Sequence, residues 1–167
     1  QRLSERVLEL RKKEQGPTHP WTFTAANNLA HILWQLGRTQ EALALHEEVL
    51  AVRIKALGER HAETLVSKNN LATALHDLGR YTESYRLRTQ ALADQQRYLS
   101  KTHFETLNTK QGLIQNLISL QRYSEAEVNA TSLLTERTQD AGQSDVHPAV
   151  IGTQLLLAEA LEHREAF

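Results

Sequence analysis

Eight histidines are the first residues of this sequence that suggest chemistry, because imidazole is the commonest metal-ligating side chain. Four of them, His19, His61, His103 and His147, recur at steps of 42, 42 and 44 residues. Steps of that size put each histidine in a different copy of a repeated unit. Packed helical units stand on the order of 10 Å apart, whereas zinc needs its nitrogen ligands at about 2 Å, so the four read as turn residues. His31 and His76 have no carboxylate cluster beside them. With no cysteine, the chain lacks thiolate ligands, disulfides and a cysteine nucleophile. It also lacks a nucleophile elbow, a glycine-rich phosphate loop and a carboxylate pair in a recognisable setting. The expectation is a chain without catalysis, cofactor or metal.

A second set of residues points to recognition. Thr24, Asn27, His31 and Trp34 follow one another at steps of three, four and three, which is one face of a helix. The corresponding positions in the next units are Val66, Asn69, Thr73 and His76, then Asn108, Gln111, Gln115 and Ile118, with Asn28 and Asn70 at the adjoining edge. Side-chain amides both donate and accept, so a ladder of them can satisfy the backbone of an extended peptide that would otherwise lose water without compensation. Trp34 adds an amphipathic anchor of the kind that carries much of a binding energy. The competing readings are structural: the Asn pairs bonding loops of the next repeat, and Trp34 packing between repeats.

These faces need helices to carry them, and the repeat supplies them. Asn27-Asn28-Leu29-Ala30 corresponds to Asn69-Asn70-Leu71-Ala72, to Gln111-Gly112-Leu113-Ile114 and to Leu155-Leu156-Leu157-Ala158. Leu36-Gly37-Arg38, Leu78-Gly79-Arg80 and Leu120-Gln121-Arg122 follow, and then Glu41-Ala42, Glu83-Ser84 and Glu125-Ala126. Each unit reads as two helices. In the first, Ala26, Leu29, Ala30, Leu33 and Leu36 form an apolar stripe, as do Leu71, Ala72, Leu75 and Leu78, then Leu113, Ile114, Leu117 and Leu120. Gly37 and Gly79 stand where a helix ends in a left-handed residue, and Thr39, Thr82 and Ser124 are candidate caps of the second helix. Gly58 and Gly142 open the next connection, and Pro20 and Pro148 suit a first helical turn.

Composition agrees with an all-α fold of about eight helices. The 167 residues include only seven glycines and three prolines, and aromatics make up 5%. The expected divisions are 1–18 (a second helix without its first), 19–60, 61–102, 103–146 and 147–167 (a first helix). Leu155, Leu156, Leu157 and Leu161 would then face nothing, so the expectation is that the protein continues or that its repeat ends self-associate. The lack of any methionine points the same way, to a piece of a longer chain.

A net charge of −1 argues against a nucleic-acid binder, which needs a cationic surface. Residues 1–124 hold 17 basic against 12 acidic side chains, and residues 125–167 hold 2 against 8. This polarity along the stack is either drift among solvated faces or a means of orienting a partner. Arg80, Arg86, Arg88, Arg97 and Lys101, interleaved with Tyr81, Tyr85 and Tyr98, read as a solvated outer face, the alternative being a docking site for an acidic protein or RNA. No apolar run is long enough to span a membrane and no signal peptide is seen, so a soluble protein is expected, and the lack of cysteine leans to the cytoplasm.

The unit pattern Leu-Ala-x-x-Leu followed by Gly-Arg-x-x-Glu-Ala resembles the tetratricopeptide repeat. Its 42-residue form, with His-Pro and Asn-Asn-Leu-Ala, is similar to the repeats of kinesin light chain and related fungal and bacterial arrays. The resemblance implies a right-handed superhelical α-solenoid of antiparallel helix pairs whose first helices line a concave groove. It also implies a protein-interaction scaffold taking an extended segment into that groove, with a spacer or self-association arm as the alternative. Some relatives clamp a carboxylate with Lys and Arg in the groove. Asn27, Asn108 and Gly112 occupy those positions here, which disfavours chaperone tails.

Overall fold

The computed structural model describes residues 2–140, 144 and 147–165, without the side chains of 140 and 165. It divides into two compact units, Gln1–Arg80 and Tyr81–Phe167. The first contains α1 (Arg2–Gln15), α2 (Pro20–Gln35), α3 (Thr39–Leu57) and α4 (Ala62–Asp77). The second contains α5 (Tyr81–Tyr98), α6 (Phe104–Ser119), α7 (Tyr123–Thr135), a π-helical turn (Glu136–Asp140) and α8 (Pro148–Glu165). The described residues thus form eight α-helices and no strand. Gly142 lies outside them.

The recurring histidines are helix caps. Nδ1 of His19, His61, His103 and His147 accepts the backbone N–H two residues on, at 3.2, 3.3, 3.2 and 3.2 Å. Each imidazole satisfies one of the amide hydrogens that a helix start leaves without a partner. The candidate caps of the second helices are corrected. Thr39, Thr82 and Ser124 lie inside α3, α5 and α7. At the start of α3 and α7 the cap positions are Arg38 and Arg122, neither giving a side-chain cap bond. Each guanidinium instead grips the first-turn glutamate with two bonds, Arg38 to Glu41 at 2.5 and 2.6 Å and Arg122 to Glu125 at 2.7 Å twice.

Within the first unit α1 packs on α2, α2 on α3 and α3 on α4. Leu8, Phe23, Ala26, Leu29, Ala30, Leu33, Ala42 and Val49 form its core, whereas Leu36, at the end of the expected stripe, is 55% exposed. In the second unit α5 packs on α6, α6 on α7, and α8 on α7 and α6. Its core joins Leu107, Ile114, Leu117, Ile118, Ala126, Ala130, Leu133 and Ala160. Leu156 and Leu157, expected to face nothing, pack against that core, while Leu155 stays 65% exposed and Leu161 is half-buried.

Buried guanidinium groups staple each unit. Arg53, 4% exposed, lies 4.3 Å from the Phe23 ring centroid and donates to Glu63 O, Ser67 Oγ and Glu63 Oε2, each at 2.7 Å. Arg137, two repeats further on and 1% exposed, donates to Gln111 Oε1 at 2.8 Å. Burial pulls both guanidinium pKa values below the ordinary range, and for Arg53 the Glu63 carboxylate opposes the shift.

Candidate functional site

A trough of about 410 Å³ opens in the first unit. The α2 residues Asn27, Ala30, His31 and Trp34 form one wall, Asn70, Thr73, Ala74 and Asp77 of α4 the other, and α3 contributes Ala42 and His46. The step of three or four residues along α2 keeps Asn27, His31 and Trp34 on one face, and Asn70, Thr73 and Asp77 share a face of α4 by the same rule. Trp34 is 47% exposed and stacks on His31 with ring centroids 5.8 Å apart. Gln35 Nε2 meets His31 Nε2 at 3.1 Å from the other side.

Few formal charges enter this space. Asp77 is the sole Asp, Glu, Lys or Arg among the lining residues described, and burial holds the His46 pKa below the usual imidazole value. Asn27 Oδ1 is buried, with no hydrogen-bond partner among the described residues.

Of the other groove residues read from the sequence, Thr24 is exposed and donates to Pro20 O at 3.1 Å, and Asn28 is exposed outside the lining. Val66, Asn69 and His76 are half-buried, with His76 Nδ1 3.8 Å from Asp77 Oδ1. In the second unit Asn108 is half-buried, Gln115 is exposed, and Gln111 is the acceptor for Arg137. Ile118, placed on the exposed face by the register, is 8% exposed and belongs to the core.

The α3 and α4 positions that line the trough have counterparts 42 residues along in α5 and α6, and there a guanidinium is buried between the two helices. Arg88 replaces His46, Gly112 replaces Asn70, Asn116 replaces Ala74 and Ser84 replaces Ala42. The basic-face reading is corrected at this residue. Arg88 is 5% exposed, and its Nη1 donates to Gly112 O at 2.8 Å and to Asn116 Oδ1 at 2.6 Å. Asn116 Oδ1 also accepts from Ser84 Oγ at 3.2 Å, and its Nδ2 donates to Tyr81 O at 3.2 Å. A methyl group on Gly112 would stand 2.5 Å from Arg88 Cζ, so glycine is what lets the guanidinium in. The buried arginines escape sequence reasoning because arginine is ordinarily a surface residue. The matching placement of Arg53 and Arg137 two repeats apart was the available signal.

No group of three or more potential metal-ligating side chains gathers among the described residues, and none of the described helices is long and apolar enough to cross a membrane. The fold and its capped helix pairs define an α-helical repeat protein. Residues 1–55 and 23–83 match a model of the tetratricopeptide repeat, and residues 64–105 match a second model of the same repeat. The chain belongs to the tetratricopeptide repeat family.

Solved structures agree. A kinesin-light-chain-type protein of Podosopora anserina with nearly identical TPR-like repeats is 26% identical in two crystal structures. They give TM-scores of 0.80 and 0.78, covering 99% of this chain and 77% of that one. BtubC (BKLC) of P. vanneervenii, 20% identical with a TM-score of 0.78, covers 99% of this chain and 65% of its own, a likeness of fold alone. No curated protein sequence matches the chain. Tetratricopeptide repeats are generally non-catalytic scaffolds for protein interaction.

Proposed function

We propose that this chain is a protein-interaction module that takes an extended segment of a partner into the trough of its first unit. It does so in the cytoplasm and carries out no chemistry of its own. The observation that carries the reading is the convergence of Asn27, His31, Trp34, Asn70 and Thr73 on one open space. Such a lining can meet both the N–H and C=O groups of an extended backbone, and a half-exposed indole can cover its side chains. The kinesin-light-chain-type neighbours support a scaffold role.

Titration of a fluorescently labelled library of extended peptides tests it. The best binders should lose at least about tenfold in affinity to the variant carrying Trp34→Ala and Asn70→Ala, since anchor residues of this type are worth about 2 kcal/mol or more. Equal affinities for the wild type and this variant would remove the trough from the account.

A further inference from the structure

Two helices carry apolar stripes in contact with solvent. On α1 the exposed side chains Leu3, Val7 and Leu10 follow at steps of four and three, apart from the buried Leu8. On α8 Ile151 and Leu155 are exposed at a step of four, and Ala158 is exposed on the same stripe. The first unit shows these register positions in use. Leu45, Val49 and Val52 of α3 stand 42 residues after Leu3, Val7 and Leu10, and Phe23 and Ala30 of α2 correspond to Ile151 and Ala158. There all five side chains share one core. The stripes on α8 and α1 are thus those with which a first and a second helix close a pair, as α2 and α3 do.

We propose that α8 of one copy takes α1 of a second copy as its second helix, so that copies join head to tail through a repeat built from two chains. Charge selects this pairing. α1 holds five basic side chains against three acidic ones, whereas α8 holds one against three. α2 and α3, joined by residues 36–38, run antiparallel. The same arrangement brings the Glu159 and Glu162 end of α8 to the Arg2 and Arg6 end of α1. Two α1 stripes laid together would set base against base, and two α8 stripes acid against acid, so like-with-like pairing is disfavoured. Since the two surfaces differ, every copy added leaves one of each open, and association continues beyond a dimer.

Sedimentation of the whole chain tests this. The average mass of the wild type should rise with concentration up to about 1 mM. Leu155→Lys blocks the α8 surface and Val7→Glu the α1 surface, and both positions are exposed, so far-ultraviolet circular dichroism should show unchanged helix content. Each variant alone should stay monomeric. Mixed, they should form a one-to-one dimer and stop there, because each retains the surface that the other lacks. A monomeric wild type would overturn the proposal and leave the stripes to another partner. A blocked variant that dimerises by itself would overturn it in favour of like-with-like contact.

A second arm tests the antiparallel register in the mixed dimer. Adding Glu159→Lys and Glu162→Lys to the Val7→Glu partner should weaken the dimer about tenfold, since like charges then face each other. Adding Arg2→Glu and Arg6→Glu to the Leu155→Lys partner as well should restore most of the affinity. Loss without recovery, or no loss, would overturn the pairing of these helix ends.

Discussion

His46 and Arg88 occupy the same register position of successive repeats, yet a trough stays open beside the first, whereas the second is buried against α6. The difference lies in a few residues. Arg88 can enter only because Gly112 has no side chain, and it can stay there only because Asn116 and the Gly112 carbonyl accept its protons. In the first unit Asn70 and Ala74 hold those places, and neither the room nor the side-chain acceptor is provided. The repeat frame therefore sets which positions face one another, and the residues there decide whether a side chain is buried between the helices or a trough stays open.

The comparison is broken most forcefully at Arg88. Arg88→Ala empties a buried site and leaves the Gly112 carbonyl without its donor. It should cost about 3 kcal/mol of stability by urea unfolding, as expected when a charge-assisted buried network is removed. His46→Ala, at the matched position of the open trough, should cost under about 1 kcal/mol, because a half-buried side chain without such bonds leaves little behind. Similar losses at the two positions would show that the guanidinium is not what holds the second unit's helices together.

A smaller effect is expected from one methyl group. Gly112→Ala drives a Cβ to within 2.5 Å of the Arg88 guanidinium and should cost about 2 kcal/mol through overpacking. Asn70→Ala should change stability by less than about 0.5 kcal/mol while weakening peptide binding. A thermal melt of each variant would separate the two. A neutral Gly112→Ala would mean that Arg88 relocates without penalty.

The smallest effect sharpens the contrast at the turns. Gly37 and Gly79 end α2 and α4 with φ of 73° and 75°, whereas Gln121 holds the matching place after α6 with φ of 59°. A residue with a Cβ pays about 1 kcal/mol in that region. Gln121→Gly should therefore raise stability by up to about 1 kcal/mol, and Gly37→Ala should lower it by about the same amount. Melting temperatures of the two variants moving in the same direction would contradict this account of the turns.

Much of the local order is legible in the sequence, for reasons visible in particular residues. The helix starts follow from the recurring histidines, because a cap acts on an amide two residues away and needs no distant partner. The apolar stripe of α2 follows from its period, up to Leu36, where the helix ends and exposure rises. The side chains around the open trough are adjacent in register, so Asn27, His31 and Trp34 group by spacing alone. Asn70, Thr73 and Asp77 group in the same way on α4, but the two sets and His46 meet only through the packing of α2, α3 and α4.

The guanidinium groups mark the limit most sharply. Arg88 stands in a run of basic and aromatic residues that looks like a wetted surface, and its burial depends on a glycine 24 residues later. The second-helix caps failed for a related reason. Thr39 and Ser124 have the right chemistry, but the cap positions lie one residue before Thr39 and two before Ser124, and Arg38 and Arg122 use their length to reach Glu41 and Glu125.

By itself, the order of residues determined the helical class, the repeat length and the position of each first-helix start, since these depend on spacing and on contacts within a turn or two of chain. Tertiary structure alone decided which arginines are inside and which residues of three helices come to line the trough. A buried charge is tolerated only where room and acceptors arrive together from another helix, and no local pattern contains both.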